Sequence, residues 1–100
     1  MVDQYDLGVI LDELETLLRS RREADPEASY TAKLLGDPEL IQRKIMEEAF
    51  EVCLELGRTE TAKDLVAEEA ADVIYHLLVG LVGVDVPLSD VFAVLKGRRT

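Results

Sequence analysis

Two short segments of the sequence place acidic side chains at helical spacing inside otherwise apolar stretches. The first carries Glu48 and Glu51, and the second carries Glu69 and Asp72. Residues three or four positions apart share one face of a helix, so each pair points in one direction. Glu47 joins the first pair through its four-residue spacing to Glu51. If the two helices pack side by side, four or five carboxylates converge.

Converging carboxylates need a proton or a cation, because close like charges cannot all stay ionised. Ligation by oxygen alone suits Mg²⁺ or Mn²⁺ rather than zinc. The pattern therefore predicts a small divalent-metal site on a helical frame. The simpler alternative is a solvated acidic face, since glutamate is common on helix surfaces. Four apolar neighbours that we expect to be core-like argue against that alternative: Ile45, Phe50, Val73 and Ile74.

The composition predicts one small domain, spanning residues 1–100, with an acidic surface. The chain is 48% hydrophobic and 32% charged, and its formal net charge is −10. This charge argues against nonspecific binding to nucleic acid or to an anionic membrane, both of which need a basic face. A phosphorylated substrate is still allowed, because bound divalent cations reverse the local charge. A domain of this size has a marginal core, which favours a homodimer.

The single cysteine, Cys53, excludes an internal disulfide and a cysteine-based zinc site. Its position between Val52 and Leu54 predicts a small buried hydrophobe rather than a nucleophile. No basic flank precedes an apolar run at the N-terminus, so we expect no signal peptide. The longest apolar stretch, residues 73–84, is too short to span a bilayer. A cytoplasmic location is the default expectation.

Hydrophobic periodicity predicts an all-α chain, and signals for strands are weak. Asp37 and Pro38 are a cap and a first-turn residue for the second long helix, and Gly57 is its stop signal. Thr59 or Thr61 is expected to cap the third long helix. The predicted helical segments are residues 6–22, 31–35, 38–56, 60–82 and a short final helix from residue 87.

The acidic signature and the segments around it resemble a known group of enzymes. The order Glu47-Glu48-x-x-Glu51, followed by Glu69-x-x-Asp72, is similar to the metal-binding signature of the all-α nucleotide pyrophosphohydrolase (MazG-like) superfamily. Within that superfamily the chain resembles the phosphoribosyl-ATP pyrophosphohydrolase family, in its stand-alone form, over residues 7–95. The segments that carry this resemblance are residues 29–35, 44–52, 68–78 and 86–91.

The resemblance implies a MazG-like bundle of four to five helices, completed by dimerisation. It also implies Mg²⁺-dependent hydrolysis of phosphoribosyl-ATP to phosphoribosyl-AMP and pyrophosphate, the second step of histidine biosynthesis, with Mn²⁺ as a substitute ion. Glu47 is implied to be either a fifth metal ligand or the base that orients the attacking water. The residues implied to be the metal ligands are Glu48, Glu51, Glu69 and Asp72.

Five further residues near the signature are candidates for contact with the substrate. Lys44 is either half of an intrahelical salt bridge, worth about 0.2–0.5 kcal/mol, or a functional residue, which would be a phosphate contact or a counter-charge that tunes the acids. Tyr30, Thr31 and Lys33 would bring a hydroxyl, an aromatic surface and a cation to the substrate, although Tyr30 would equally serve as an anchor for its loop. His76 continues the acidic stripe of its helix, either as a substrate contact or as a hydrogen-bonded structural group.

Two other functions fit the same acids. A MazG-like enzyme acting on canonical or damaged (d)NTPs would share the metal site and differ in its recognition of base and sugar. An acidic helical dimerisation module without catalytic activity would keep its carboxylates in solvent. The segment 29–35 and the pair Tyr75-His76 favour the phosphoribosyl-ATP enzyme, and Tyr75 itself is expected to be a core or dimer contact.

Overall fold

The computed structural model describes residues 6–98, and all of its regular secondary structure is helical. This confirms the predicted all-α class, and each predicted segment is present within about three residues of its predicted limits. A short 3₁₀ turn, Arg21–Glu23, follows the first helix. The α-helices are α1 (Leu7–Ser20), α2 (Tyr30–Leu35), α3 (Pro38–Leu56), α4 (Lys63–Gly83) and α5 (Leu88–Gly97).

The hairpin of α3 and α4 is the frame of the molecule, because these two helices share the most extensive contact. Ile41, near the start of α3, lies against Gly80, near the end of α4, so the two helices run antiparallel. A Cβ at Gly80 would lie 3.3 Å from Cγ2 of Ile41 and 3.6 Å from Cδ1 of Ile45. The absence of a side chain at Gly80 therefore lets the helices approach closely at this end.

The buried core lies at the C-terminal half of α4, where α1, α2 and the start of α5 meet it. Partly buried side chains from all five α-helices, including Ile45 of α3 and Tyr75 of α4, pack against that core. The other half of the α3–α4 hairpin, which carries the acidic residues, extends away from it. The buried apolar side chains of this core are Leu18, Leu34, Ile41, Leu78, Val79, Val82 and Leu88.

Within residues 6–98, no single helix is both long and apolar enough to cross a membrane. By length and composition, α4 and α5 pass that test only when taken together, and they are bent by 113° at the break between them.

The start of α3 is capped as predicted, because the Asp37 side chain accepts a hydrogen bond from the backbone N–H of Leu40. The threonine cap predicted for α4 is wrong. Ala62 occupies the N-cap position of that helix and makes no side-chain capping bond, so α4 begins after both threonines. Residue type alone favoured a threonine, whereas the packing of α4 on α3 determines where its first turn lies.

The turn from α4 to α5 is held by polar side chains of α1 and of the 3₁₀ turn; we call this region the α1–α5 corner. Glu15 accepts a hydrogen bond of 2.7 Å from the backbone N–H of Leu88, the first residue of α5. Arg22 donates to the Val82 carbonyl and to the Asp85 carboxylate, the latter at 2.6 Å. Asp85 has a φ of 58°, a conformation that aspartate tolerates better than most residues. The start of α5 therefore receives its cap from α1.

One apolar face of the α3–α4 hairpin is exposed, which corrects three expectations. Phe50 and Ile74 are 64% and 48% exposed rather than core-like, and Cys53 is exposed rather than buried. Ile45 and Val73 are partly buried, closer to expectation. Helical periodicity identifies an apolar face, but it cannot identify what covers that face. Within the described residues of one chain, this face remains uncovered.

Candidate active site

The antiparallel helices α3 and α4 bring the predicted acids together. Glu48, Glu51 and Glu69 each offer one carboxylate oxygen, and these three atoms lie within 4.8 Å of one another. The fourth predicted ligand, Asp72, is exposed and lies outside this group of three, although its charge raises the pKa of both Glu48 and Glu69. We call these four residues the acid cluster. The helical spacing predicted each pair, and the antiparallel packing joins the two pairs.

Two carboxylate oxygens of the acid cluster lack the partners that buried polar atoms normally have. Oε2 of Glu48 and Oε2 of Glu69 are buried, and neither has a hydrogen-bond partner among the described residues. A buried carboxylate without compensation is strongly unfavourable, and such groups are normally paired or bound to a metal. These two oxygens therefore require a cation or a proton to compensate their negative charge.

The pKa values of the cluster show the same need. Burial, the charges of Glu51 and Asp72, and a hydrogen bond with Glu51 raise the pKa of Glu48. A hydrogen bond with Glu51, loss of hydration and the neighbouring negative charges raise the pKa of Glu69 to about 7. Without a cation, Glu48 and Glu69 therefore take up a proton more readily than ordinary glutamates do.

The chemistry of the donor set fits a hard divalent cation. The grouped donor atoms are all carboxylate oxygens, which suits Mg²⁺ or Mn²⁺ better than softer metals. The two unpartnered oxygens are already desolvated and belong to residues on different helices. Glu48 and Glu69 would hold such a cation, and its positive charge would compensate both oxygens.

Lys44 and Glu47 lie at the edge of the acid cluster and pair with each other. Nζ of Lys44 is 3.5 Å from Oε2 of Glu47, and the Glu47 side chain is largely exposed. The intrahelical salt bridge considered from the sequence is therefore present. An exposed pair of this kind contributes little to stability, so it leaves both side chains available for a substrate.

Helix α2 rests on α4 through two side-chain hydrogen bonds. The hydroxyls of Thr31 and Tyr75 lie 2.5 Å apart, and the Tyr30 hydroxyl lies 3.1 Å from Nε2 of His76. Thr31 and His76 are 9% and 6% exposed, whereas Tyr30 and Lys33 are exposed. Of these four candidates for substrate contact, Tyr30 and Lys33 thus reach the surface, whereas Thr31 and His76 are buried with hydrogen-bond partners. The sequence missed Tyr75 as the partner of Thr31, since no local pattern links residues so far apart.

Comparison with known proteins identifies the family of the chain. The sequence model of the family described as phosphoribosyl-ATP pyrophosphohydrolase matches residues 11–99. The chain belongs to this family. The phosphoribosyl-ATP pyrophosphatase of Cereibacter sphaeroides is 47% identical over 91 residues, which cover 90% of this chain and 86% of that protein. Phosphoribosyl-ATP pyrophosphatases of Dinoroseobacter shibae and Methylobacterium nodulans are 46% and 43% identical, over 90% of this chain and 87% and 83% of those proteins.

Membership in the phosphoribosyl-ATP pyrophosphohydrolase family confirms the resemblance inferred from the sequence. The matched region contains the whole acid cluster, the Lys44–Glu47 pair and helix α2. It also covers most of each relative, so the similarity is not confined to one motif.

Proposed function

We propose that this chain hydrolyses phosphoribosyl-ATP to phosphoribosyl-AMP and pyrophosphate, the second step of histidine biosynthesis, using Mg²⁺ held by the acid cluster. Family membership supports the reaction and the substrate. The observation that carries the metal-dependent mechanism is the pair of buried, unpartnered carboxylate oxygens on Glu48 and Glu69. The simplest explanation of this pair is that both oxygens are ligands of a metal ion.

The ligands would be the four members of the acid cluster, with Mn²⁺ able to replace Mg²⁺. When bound, the ion supplies positive charge that screens the triphosphate and polarises its phosphoryl oxygens. The protein's own part is to hold the oxygens on two rigid, antiparallel helices, so that the site is preorganised. The residues proposed as ligands are Glu48, Glu51, Glu69 and Asp72.

Glu47 and Lys44 would act at the exposed edge of the site. The Glu47 carboxylate would orient the attacking water and accept its proton, or would serve as a fifth ligand. Water adds to phosphorus at the α–β anhydride, and the bridging oxygen leaves with one of the two products. Lys44, 3.5 Å from Glu47, would balance the charge of Glu47 or of a phosphate.

Helix α2 would form the substrate side of the site. Tyr30 and Lys33 are exposed there and would contact the base, ribose or phosphates of the substrate. Thr31 and His76 are buried, so they would affect substrate binding only indirectly, through the residues that they contact. Burial raises the pKa of the Tyr30 phenol, whose hydroxyl bonds His76, and the His76 ring in turn bonds the backbone carbonyl of Asp72. Helix α2 therefore borders the acid cluster.

The direct test is release of pyrophosphate from phosphoribosyl-ATP by purified protein with Mg²⁺. We expect turnover that chelation abolishes and that Mg²⁺ or Mn²⁺ restores. No release at high enzyme concentration would end the proposal. A parallel panel of canonical and damaged (d)NTPs tests the MazG-like alternative, which would be favoured by faster turnover of those nucleotides.

A solely structural, non-enzymatic role predicts that the acids face solvent, but buried oxygens on Glu48 and Glu69 argue against it. It also predicts that Mg²⁺ and Mn²⁺ leave the melting temperature unchanged. We expect both ions to raise it, because a ligand that binds only the folded state stabilises that state.

A second copy of the chain would cover the exposed apolar face of α3 and α4. Large apolar side chains rarely form a continuous exposed patch unless they meet a partner, and a homodimer is the simplest partner. Sedimentation of the protein tests this, and Phe50→Asp should dissociate the dimer. We also propose a cytoplasmic location for this biosynthetic reaction. The exposed apolar residues include Met46, Phe50, Leu54, Ile74 and Leu77.

A further inference from the structure

His76 is buried at the junction of α2 and α4, and both of its ring nitrogens have partners. Nδ1 lies 2.8 Å from the backbone carbonyl oxygen of Asp72, and Nε2 lies 3.1 Å from the Tyr30 hydroxyl. The side chain is therefore a bridge between the backbone of the acid cluster and the exposed ring of α2. With 6% of its surface exposed, His76 has little area left for a substrate.

The partners determine which atoms donate. A carbonyl oxygen only accepts, so Nδ1 of His76 carries a hydrogen and donates to Asp72. In the neutral imidazole, Nε2 is then the acceptor, and the Tyr30 hydroxyl is the donor. The hydrogen of the Tyr30 hydroxyl is thus engaged within the chain, and the part of Tyr30 that remains for a ligand is mainly its ring.

The Tyr30 ring is held on two sides and open elsewhere. Its plane stacks near that of Tyr75, at 16° with centroids 6.3 Å apart, and it meets the His76 ring edge-on at 6.0 Å. Even so, Tyr30 is 47% exposed. Its hydroxyl bonds the His76 ring, and that ring bonds the backbone of Asp72, so Tyr30 lies one side chain away from the acid cluster. An aromatic surface in that position suits a purine or ribose whose phosphates occupy the cluster.

We propose that His76 is a positioning residue: it fixes the Tyr30 ring at the edge of the acid cluster and acts on the substrate only through that ring. This role presupposes the proposed function. A hydrogen bond between neutral groups that orders one side chain changes affinity by about 3–10-fold. The effect should fall on KM, because the ring touches the nucleoside part of the substrate and not the reacting phosphorus.

A double-mutant cycle on His76 and Tyr30 tests the proposal. His76→Asn keeps a nitrogen near the position of Nδ1 and removes the partner of Tyr30, while Tyr30→Phe keeps the ring and removes the hydroxyl. We expect each variant to raise KM for phosphoribosyl-ATP about 3–10-fold with kcat nearly unchanged. Since both changes delete the same bond, the double variant should be no worse than either single one.

His76→Gln should restore the hydrogen bond to Tyr30, because the longer glutamine side chain places its amide near the position of Nε2 of His76. We expect it to recover most of the KM lost in His76→Asn. Failure of the rescue, or multiplying effects in the double variant, would overturn the proposal, since His76 would then act independently of Tyr30.

Tyr75→Phe is the matched control. It removes the other hydrogen bond between α2 and α4, the one to Thr31, and leaves the Tyr30–His76 bond in place. Its thermal stability should fall about as much as that of Tyr30→Phe, with KM nearly unchanged. An equal rise in KM for Tyr75→Phe would show that only the stability of the junction matters, which would overturn the positioning role. If the wild-type protein releases no pyrophosphate, the proposed function itself is wrong. If the wild-type protein is active but the effects of His76→Asn and Tyr30→Phe on KM multiply in the double variant, only this inference is wrong.

Discussion

The acid cluster and the α1–α5 corner both place acidic side chains against packed helices, and they differ in how those acids are satisfied. At the corner, Glu15 accepts from Leu88 N–H at 2.7 Å and pairs with Arg19 at 3.5 Å. Asp85 pairs with Arg22 at 2.6 Å. In the acid cluster, oxygens of Glu48, Glu51 and Glu69 lie within 4.8 Å of one another. Among residues 6–98, the acids of the corner therefore have donor partners, whereas one oxygen of Glu48 and one of Glu69 have none.

This difference separates acids that support the fold from acids that serve a ligand. A hydrogen-bonded acid stabilises the structure that holds it, whereas a crowded, partly desolvated acid destabilises that structure until a cation binds. The molecule tolerates the cluster because α3 and α4 are long and anchored by the core at their other end. Substitutions in the two regions should therefore have opposite effects on stability.

The largest expected effect is on turnover, from Glu48→Gln or Asp72→Asn. Changes around a metal's ligands cost about 10–100-fold, so loss of a proposed ligand should lower kcat/KM by about 100-fold or more. Because either change also relieves repulsion, the melting temperature without metal should stay the same or rise. Pyrophosphate release and thermal unfolding measure the two quantities on the same samples. A fall in stability without metal would place these acids in the same class as those of the corner.

The next effect is on stability at the corner, from Glu15→Ala. This change leaves the backbone N–H of Leu88 without its acceptor, so the free energy of unfolding should fall by about 1–3 kcal/mol. Turnover of the folded protein should change little. Glu13→Ala, an exposed acid on the same helix, is the control and should alter stability by less than about 0.5 kcal/mol. Equal effects of the two changes in urea unfolding would contradict the assigned role of Glu15.

A smaller effect is the pH dependence of stability that Glu69 introduces. Its pKa is raised to about 7, above the value of about 4.3 for glutamate in an unfolded chain. Between those values the folded state binds more protons than the unfolded state, so this contribution to stability is fully present below pH ~4.3 and is lost as pH rises through ~7. Without metal, thermal unfolding of Glu69→Gln should show a flatter pH profile than wild type over this window. Added Mg²⁺ should stabilise wild type more at pH 8 than at pH 6, because protons and metal compete.

The smallest effect is expected for Asp85→Asn at the corner. Asparagine tolerates the positive φ, so this change removes only the partly exposed ion pair with Arg22 and should reduce stability by less than about 1 kcal/mol. Asp85→Ala should reduce it by more, since alanine is disfavoured at that φ. High salt should diminish the difference between wild type and Asp85→Asn in chemical unfolding. A cost of Asp85→Asn that is independent of salt would contradict the ionic explanation.

Local signals in the sequence predicted the helices and each acidic pair, because both depend on spacing along one helix. Asp37 was correctly predicted as a cap, and Glu48 with Glu51 as a shared face. The exposure of Phe50 and Cys53 was not predictable, since apolar spacing does not reveal whether another element covers a face. The Tyr30–His76 bond was equally inaccessible, because its residues are 46 positions apart.

By itself, the sequence determined the all-α class, the two acidic stripes and, through its resemblance to known enzymes, the family. These are properties of periodicity and local order, which act over one or two helical turns. Only the tertiary structure decided that the stripes meet at less than 5 Å, with an unpartnered oxygen on each helix. It also decided that Glu15 caps a helix 73 residues away. Both outcomes depend on which helices pack against each other, and that packing depends on side chains throughout the core rather than on any one segment.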